Sequence, residues 1–397
     1  HNTLRIGKSR MQVLKGSRES LLTPLTTVSG IIETHQTVPI LSNVLIQSDG
    51  SKVSFTGSNL EIQIKTHAEL EQEGDPVAFT VSSRKIQDLI KSLPPTEVTI
   101  SLGAARKAIS AEGGNQVSQK MEVSTENSRF SLQTIPADKY PSFPDADFTS
   151  SATIPAKQLK YILSMVHYAM ANQDIRFYLN AVRLVIKDGK VRAVATDGRR
   201  LAFCEITPDK NSVVSEDVSV TIPRKAVLEL KRLLPEEDDD KEIPVKIDFA
   251  ANQARFTFNG VEVTTKLLEG TYPDYERVIP TNNDKVFLIS REALLQALQR
   301  TAVLASDKFK GVRWLLSPGL LSIQSSNSDQ EEGNDNIAVD YQGDPIDIGF
   351  NIDFLSDVLS NLKNDKVKIA LSGPQGSALI TMPESDDFKY VLMPMRL

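Results

Sequence analysis

The stretch that decides the fold is TIPAKQLKYIL, Thr153–Leu163. Its threonine and isoleucine favour a strand end, its proline marks a break, and its remaining apolar residues recur at helical spacing. The stretch TIPRKAVLELKRLL, Thr221–Leu234, repeats the stem TIP, then one residue, then lysine, then an apolar helical pattern. Two copies of one strand-to-helix transition indicate an internally repeated α+β protein.

Four further segments carry the same transition in looser form. TVSSRKIQDLIKSL at Thr80–Leu93 keeps the threonine, a serine helix start and the lysine. SRESLLTPL at Ser17–Leu25 and SREALLQAL at Ser290–Leu298 form a second close pair, and FNIDFLSDVLSNL at Phe350–Leu362 is the most divergent copy. Six strand-plus-helix units, spaced by roughly 65 residues, therefore account for nearly the whole chain.

Hairpin turns fall at matching places between these predicted helices. A two-residue turn containing glycine between alternating apolar runs is a strong hairpin signal. Three of the turns are spaced so that they indicate a larger repeat of about 130 residues, present three times, with two helix-plus-sheet halves in each copy. The predicted turns are at Asp49–Gly50, Asp188–Gly189, Asn259–Gly260 and Pro318–Gly319.

Proline-rich stretches mark the boundaries between the three large repeats. They are IPADKYPSFPDADF at 135–148 and YPDYERVIPTNND at 272–284. We therefore expect three domains that share one α+β fold. The expected divisions are an N-terminal extension or cloning remnant at 1–10 and domains at 11–147, 148–281 and 282–397.

Composition predicts a cytoplasmic globular protein. Of 397 residues, 40% are hydrophobic and 24% are charged. The single cysteine, Cys204, lies in the apolar run LAFCEI, which predicts a buried thiol and excludes an intramolecular disulfide. The opening HNTLRIGKSR lacks the apolar core of a signal peptide, and no stretch approaches the roughly 20 apolar residues of a membrane span.

Charge is distributed unevenly along the chain. The six helical segments together carry +6, so the remainder of this chain of net charge −6 carries −12. Acidic runs at 236–242, 331–332 and 384–387 are expected in loops. One interpretation is that helix surfaces simply carry more lysine and arginine. The other is that the helices share one weakly basic face that attracts phosphates without reading bases.

No sequence motif for catalysis is present. The chain contains no GxxxxGK[ST], HExxH or GxSxG pattern, and its four histidines lie far apart without cysteines at metal-ligand spacing. Asp197 in ATDGRRLA and Asp274 in YPDYERV stand in turn-like contexts without a nearby histidine. A nucleic-acid-acting enzyme using these carboxylates is the alternative hypothesis, and a repeat-built scaffold is a third. Because a catalytic centre generally breaks threefold repetition, we expect a non-enzymatic protein with no metal and no cofactor.

The chain ends with YVLMPMRL, Tyr390–Leu397, which is unusually apolar for a terminus. An edge strand packed into a core would explain it. The alternative is an apolar surface for partners, because methionine adapts its shape to different ligands.

Four motifs together resemble the bacterial sliding clamp family, the β subunit of DNA polymerase III. They are ATDGRRLA at 195–202, YPDYERVIP at 272–280, KFKGVR at 308–313 and VLMPMRL at 391–397. The resemblance extends from about Met11 to Leu397 and includes the threefold repeat. It implies three clamp domains per chain and a head-to-tail homodimeric ring, with helices lining the interior and antiparallel sheets outside.

The resemblance also implies a function and a set of partners. The ring would encircle double-stranded DNA without sequence preference and act as a processivity factor. It would bind the catalytic subunit of DNA polymerase III, the clamp-loader complex, and other polymerases and repair proteins through short peptide motifs. No membrane is involved.

In this family a hydrophobic cleft between the second and third domains captures those peptides. The matching positions combine the ATDGRRLA turn, the YPDYERV turn, the last helix and the terminal segment. Some relatives have histidine where this chain has Arg199. The implied cleft residues are Leu179, Thr196, Gly198, Arg199, Arg200, Leu201, Pro273, Arg277, Val278, Asn351, Phe354, Val391, Met393, Pro394, Met395 and Arg396.

Two further sets follow from the resemblance. His35 stands where relatives carry arginine, so that a DNA contact there would be weaker at neutral pH. Apolar contacts are expected to hold the subunit interface, because exposed ion pairs contribute typically under about 1 kcal/mol. The implied DNA-binding residues are His35, Arg84, Gln173, Tyr178, Arg224 and Lys225. At the subunit interface, Val303 and Leu304 would meet the partner's Phe130 and Leu132. Lys85 and Arg129 would face Glu331 and Glu332.

Overall fold

The fold is taken from a computed structural model, and every structural statement below concerns the residues that it describes. The described part of the chain divides into two compact units. One contains residues up to Ser150 together with Ile243–Lys266, and the other contains Ser151–Glu242 and Leu267–Leu397. The described ranges are 10–69, 75–109, 115–210, 212–214, 216–236, 242–308 and 310–397.

All six predicted helices are present, and the described residues contain no other α-helix. Four begin with a side-chain cap, in which the oxygen of Ser17, Ser82, Ser290 or Asn351 accepts a hydrogen bond from the backbone N–H three residues later. A proline precedes the other two helices, which follow the two TIP stems. The helices are α1 (Arg18–Ser29), α2 (Ser83–Ser92), α3 (Ala156–Val166), α4 (Arg224–Leu233), α5 (Arg291–Ala302) and α6 (Ile352–Asn361).

The first unit is built on one antiparallel sheet. Its strand order is β1-β6-β9-β10-β5-β2-β3-β4-β19-β18-β17, with a separate two-stranded hairpin, β7-β8. The strands are β1 (Met11–Ser17), β2 (Asn43–Ser48), β3 (Lys52–Ser58), β4 (Ile62–Glu69), β5 (Val77–Ser82), β6 (Glu97–Leu102), β7 (Arg106–Ile109), β8 (Asn115–Ser118), β9 (Lys120–Ser124), β10 (Arg129–Pro136), β17 (Pro244–Phe249), β18 (Gln253–Phe258) and β19 (Val261–Lys266).

The second unit contains an eight-stranded and a four-stranded antiparallel sheet. Their orders are β16-β12-β13-β14-β27-β26-β25-β20 and β23-β22-β21-β24, and β11 pairs with β15. The strands are β11 (Ser150–Pro155), β12 (Ala181–Lys187), β13 (Lys190–Thr196), β14 (Arg200–Ile206), β15 (Val213–Val214), β16 (Val218–Pro223), β20 (Lys285–Ser290), β21 (Gly311–Ser317), β22 (Leu320–Ser326), β23 (Glu332–Ala338), β24 (Ile346–Asn351), β25 (Lys366–Leu371), β26 (Ala378–Met382) and β27 (Ser385–Leu392).

The predicted hairpins are confirmed, and their glycines have the backbone conformation that the turns require. Gly50, Gly189, Gly260 and Gly319 all have positive φ, between 74° and 105°. At the second and third of these turns the preceding residue is also left-handed, as a two-residue turn with the right twist for a hairpin demands.

Sheets continue across two boundaries between repeats. In the first unit β4 pairs with β19, so a strand of the first repeat meets the last strand of the second. In the second unit β14 pairs with β27 in the same way, joining the second repeat to the third. β27 is therefore an interior strand, which argues against the edge-strand interpretation of the terminal segment.

Each helix packs one apolar face on a sheet. In α1 the side chains of Leu21, Leu25 and Val28 are at most 1% exposed, and α3 buries Leu159 and Ile162 fully. Two of the acidic runs expected in loops lie partly in strands, since Glu332 begins β23 and 385–387 begin β27. Residues 237–241 of the third run lie outside the described residues. No helix in the described ranges is long and apolar enough to cross a membrane.

Candidate functional site

The floor of the predicted cleft is the junction between β14 and β27. Leu201 pairs directly with Val391, and the two side chains are 3% and 4% exposed. Val194, Phe203 and Tyr272 complete this apolar cluster. The pairing of two distant strands therefore creates an apolar patch that neither repeat contains alone.

The ATDGRRLA turn forms one wall. The Thr196 hydroxyl donates to the Arg200 carbonyl at 2.7 Å and accepts from the Gly198 N–H at 3.1 Å. Gly198 has φ of 90°, and a Cβ there would lie 3.3 Å from the Arg176 guanidinium. This close approach places the turn against the segment that ends at Leu179, which is buried. Glycine is therefore favoured here by its backbone conformation.

An ion pair between the second and third repeats orders the wall. Arg200 donates to Asp357 on α6 at 2.5 Å and to Asp197 at 3.2 Å, and its guanidinium lies 4.1 Å from the ring centre of Phe354. Burial alone would lower the pKa of Arg200, but the neighbouring Tyr390 and Asp357 more than offset it, and the net shift is upward. Asp357 and Asp197 together hold the Arg200 guanidinium against the ring of Phe354, and this contact restrains the ring.

Arg199 and Tyr390 extend this arrangement. The Arg199 guanidinium lies 4.7 Å from the Phe354 ring centre, so this side chain stacks on the ring as a second cation. The buried Tyr390 hydroxyl donates to the Phe354 carbonyl at 2.7 Å, and burial raises the pKa of that phenol. Asn351 contributes as the cap of α6.

The YPDYERV turn lies at the edge of the floor and is largely exposed. The Tyr272 hydroxyl donates to the Val194 carbonyl at 3.4 Å, which attaches the turn to β13. Pro273 is exposed, Val278 is 54% exposed, and Arg277 pairs with Asp274 at 2.8 Å. These three predicted residues therefore offer surface to a ligand and have no part in the packed floor.

The terminal segment crosses from the second repeat to the third. The Met393 N–H donates to the Arg199 carbonyl at 3.1 Å, and the Met395 N–H donates to the Gly349 carbonyl at 2.8 Å. Met393 is 52% exposed, Pro394 and Met395 are half-buried, and Arg396 is exposed.

Two glycines make room for the last residue of the chain. A Cβ on Gly349 would lie 2.5 Å from the Met395 carbonyl oxygen and 2.8 Å from Leu397, and a Cβ on Gly311 would collide with the same leucine. Gly311 and Gly349 lie on paired strands, β21 and β24. We call this feature the glycine notch. Sequence reasoning missed both it and Leu397, although glycine inside a strand is a signal of close backbone approach.

The structure thus brings most of the predicted cleft residues into one continuous surface. Asp357, Tyr390 and Tyr272 were also missed, because their roles depend on partners far away in the sequence. The alternation of apolar and polar residues along single strands could have predicted only the apolar cluster around Leu201.

The predicted DNA-binding residues of the second unit lie near one another. The Arg224 guanidinium donates to the Ala171 carbonyl at 3.3 Å, and its backbone N–H donates to the Asn180 carbonyl at 2.9 Å. Gln173 and Tyr178 belong to this same 171–180 segment, and Lys225 follows Arg224 on α4. In the first unit, His35 and Arg84 are exposed.

The predicted interface residues form two separate surfaces. In the first unit, Arg84, Lys85, Phe130 and Leu132 line one shallow groove of about 370 Å³. Arg84 therefore lies with the interface set as well as being a candidate for DNA. Arg129 is exposed at the start of β10.

The second interface surface is on the third repeat. Val303 is 78% exposed at the end of α5, and Leu304 approaches within 3.7 Å of the position of a Cβ on Gly333. Glu331 and Glu332 are exposed beside it, at the start of β23.

The candidate catalytic groups are engaged in structural contacts. Asp197 accepts from the backbone of Arg199 and Arg200, and Asp274 pairs with Arg277. Cys204 is fully buried, and that burial raises the pKa of its thiol. Across the ranges that the structure covers, no group of three histidine, cysteine or acidic side chains could hold a metal.

Comparison with known proteins covers almost the whole chain. Three family models match in order, the N-terminal, central and C-terminal domains of the DNA polymerase III beta subunit, at residues 13–144, 153–274 and 276–396. The beta sliding clamp of Pseudomonas aeruginosa is 39% identical over 380 residues, which is 96% of this chain and 98% of that protein. The beta sliding clamp of Escherichia coli is 37% identical, with the same coverage of both chains.

A solved structure agrees with this sequence similarity. The crystal structure of the Pseudomonas aeruginosa sliding clamp bound to griselimycin matches with a TM-score of 0.88 and 38% identity, covering 98% of this chain and all of that one. The three tandem α+β domains, the paired strands at their junctions and the full-length similarity lead to one conclusion. The chain belongs to the bacterial beta sliding clamp family, the β subunit of DNA polymerase III.

Proposed function

We propose that two copies of this chain close head to tail into a ring around duplex DNA and tether the replicative polymerase to it. The observation that carries this proposal is a pair of unpaired strand edges. Residues Arg129–Gln133 of β10 pair only with β9, and β23 pairs only with β22, within the described chain. Exposed edges of this kind are ready to accept a strand.

These two unpaired edges are equivalent in position to strand edges that pair with each other inside the chain. At each junction within the chain, the strand after the second hairpin turn of one repeat, β4 or β14, pairs with the last strand of the next, β19 or β27. β23 is the corresponding strand of the third repeat and β10 is the last strand of the first. A third junction of the same kind would therefore form between two chains, and a twofold pair of such junctions closes a ring.

The two internal junctions also supply a register for the third. Gln63 pairs with Thr264 and Leu201 pairs with Val391, and the equivalent positions in β23 and β10 are Glu332 and Ser131. In this register Glu332 lies opposite the partner's Ser131.

One residue along, the partner's Phe130 lies opposite Gly333. Because Gly333 has no side chain and Leu304 lies next to it, the aromatic ring can pack on Leu304 and Val303. Leu132 of the partner falls beside Glu331, and Arg129 falls beside Asn334. Lys85, in the same groove as Phe130, supplies a further cation near Glu331 and Glu332. The apolar contacts carry most of the stability, since exposed ion pairs contribute about 1 kcal/mol or less.

Helices α1 to α6 of each chain would line the hole, giving twelve in all. Their excess of basic residues would attract phosphates of any sequence, and the attraction would weaken with salt. His35, Arg84, Gln173, Tyr178, Arg224 and Lys225 are the residues proposed to lie near the DNA.

The cleft is proposed to capture short peptides from the catalytic subunit of DNA polymerase III, the clamp loader, and other polymerases and repair proteins. An extended peptide would place apolar side chains on Leu201 and Val391 and between Phe354 and Met393. The exposed methionine can adapt to different partners. The ligand-bound Pseudomonas aeruginosa clamp supports a surface of this class that accepts ligands.

Three further proposals follow from this assignment. The protein has no catalytic centre. Its retention on DNA comes from the topology of a closed ring. It acts in the cytoplasm with the replication machinery. Its domains are divided at 11–147, 148–281 and 282–397, close to the three family matches.

Topological retention is the direct test of function. The protein is loaded onto nicked circular DNA with a clamp loader and then challenged with about 1 M salt, at which exposed charges are screened within about 3 Å. A ring stays bound to the circle and dissociates once the circle is cut by a restriction enzyme. Dissociation in salt from the intact circle would indicate an electrostatic binder, and degradation of the DNA would favour the enzyme hypothesis.

A further inference from the structure

The first repeat carries a hairpin that the other two repeats lack in the described chain. The turn that links the corresponding strands is 250–252 in the second repeat and 372–377 in the third. In the first repeat the linking segment runs from 103 to 119, and its described residues contain β7 and β8. An added hairpin at one of three equivalent positions indicates a role specific to the surroundings of the first repeat.

In the other two repeats, residues at this turn contact the proline-rich boundary stretch that precedes their own repeat. The Gln253 side chain donates to the Pro144 carbonyl at 2.7 Å, in the segment that arrives from the first repeat. The Asn283 side chain, in the segment that arrives from the second repeat, donates to the carbonyls of Ala370 and Ser377 at 2.9 and 2.8 Å. In a head-to-tail ring, the repeat that precedes the first one is the third repeat of the partner chain.

Contacts at the base of the hairpin connect it to the open edge of β10. Arg106 of β7 pairs across the hairpin with Ser118 of β8, and the Ser118 hydroxyl lies 3.3 Å from the Gln133 side-chain oxygen. Gln133 ends the unpaired edge. Its equivalent in the second repeat is Lys266, whose N–H donates to the Glu61 carbonyl at 2.9 Å and whose ammonium lies 4.0 Å from the Glu61 carboxylate.

The same register places an acidic turn opposite the hairpin. The position equivalent to Glu61 is Gln330, in the turn before β23. Asp329, Glu331 and Glu332 of this turn are exposed, and so are Arg106 and Lys107 of the hairpin. The junction within the chain already joins a cation on the later repeat to an acid on the earlier one, and the hairpin and this turn continue that polarity across two chains.

We propose that the β7–β8 hairpin is an added intersubunit contact, in which Arg106 and Lys107 of one chain bind the acidic turn 327–332 of a second copy. This inference rests on the proposed ring. Its ligand is a second copy of this chain, recognised by charge complementarity next to the paired strands. The hairpin would slow ring opening without changing the apolar contacts around Phe130.

The test compares dimer dissociation constants from dilution series followed by analytical ultracentrifugation, at about 50 and 300 mM salt. Two exposed ion pairs at each of two interfaces predict that R106E/K107E weakens dimerisation at least about fivefold at low salt, with a smaller difference at high salt. The matched control is K366E/K368E, which reverses two exposed lysines on β25 and should leave the constant unchanged. Circular dichroism and thermal melting confirm that each variant is folded.

Reversal of the partner's charges gives the decisive comparison. D329K alone should also weaken the dimer, and D329K combined with R106E/K107E in one chain should recover at least about twofold of the affinity lost by R106E/K107E, because each interface regains a pair of opposite charges. A wild-type dimer that R106E/K107E does not weaken, or a combined variant without rescue, overturns the hairpin contact alone. A wild-type chain that remains a monomer overturns the ring itself.

Discussion

Gly349 illustrates how a missing side chain shapes the cleft. The glycine notch receives Leu397 and lets the Met395 N–H reach the Gly349 carbonyl, while the Met393 N–H bonds to the Arg199 carbonyl. The residues proposed to bind ligand and those that hold them in place are therefore different. The pattern of apolar residues in the sequence does not predict the second group.

Gly349→Ala should weaken peptide binding without disturbing the fold. Its Cβ would lie 2.5 Å from the Met395 carbonyl oxygen, so the terminal segment must leave the notch. We expect at least a tenfold loss of affinity, about 1.4 kcal/mol, for a fluorescent peptide from the polymerase catalytic subunit, measured by polarisation.

The control for this substitution is Gly373→Ala, where a Cβ meets nothing within 4 Å. It should bind the peptide normally, whereas deletion of Met393–Leu397 should abolish binding while leaving the dimer. Normal binding by Gly349→Ala would show that the notch does not position the tail.

His167 makes stability depend on pH. It follows α3, it is partly buried, and its pKa is lowered first by burial and then by the positive charge of Lys231. The folded protein therefore binds fewer protons here than the unfolded chain, whose histidines titrate near about 6.5. Its contribution to stability is present above that pH and is lost as the pH falls below it.

His167→Gln should therefore flatten the fall of the thermal midpoint between about pH 6.5 and 5. His35→Gln, the same substitution at an exposed site, is the matched control. An unchanged pH profile for His167→Gln would assign the acid sensitivity to other groups.

At the scale of elements, the helix starts and hairpin turns were predictable because interactions between residues close in sequence determine them. The helices begin at Ser17, Ser82, Ser290 and Asn351 because short polar side chains cap them, and the hairpins turn where glycine tolerates positive φ. These features are encoded within a few residues of one another. They were predictable for that reason.

Strand partners were less predictable. β27 was considered as an edge strand, but it lies between β14 and β26 because β14 of another repeat covers its second side. Likewise, Asp357 could not be linked to Arg200 from sequence, since the two are 157 residues apart. The family resemblance anticipated most cleft residues, whereas the pairing that fixes them required the fold.

The predicted register at the subunit interface can be tested by cross-linking. In that register Ser131 lies opposite the partner's Glu332, so oxidation of S131C/E332C should join two chains at both interfaces. The native Cys204 is buried and should not interfere. The readout is the covalent dimer on a non-reducing gel.

The control pair for cross-linking is S131C with D340C, eight residues beyond Glu332 along the chain, which should remain unlinked. Equal cross-linking of both pairs, or none with S131C/E332C, would contradict the proposed register. The apolar neighbours Phe130 and Leu304 would then need a different arrangement.

At the scale of the molecule, three repeats provide two junctions inside the chain, and in the proposed ring the third junction forms with a second copy. The β4–β19 and β14–β27 pairs join the middle repeat to the first and to the third. In the described chain, residues 129–133 of β10 and the whole of β23 are each paired on one side only. Because the register proposed above joins these two open edges, the proposed interface is head-to-tail, and such an interface either closes into a ring or extends into a filament.

The mass of the protein in solution tests this closure most directly. Sedimentation equilibrium at micromolar concentration should give twice the chain mass of 43.8 kDa, with no larger species as concentration rises. V303D/L304D, which places charges on the apolar side of the interface, should sediment as a single folded chain. A single-chain mass for the wild type, or a mass that grows steadily with concentration, would contradict the two-chain ring.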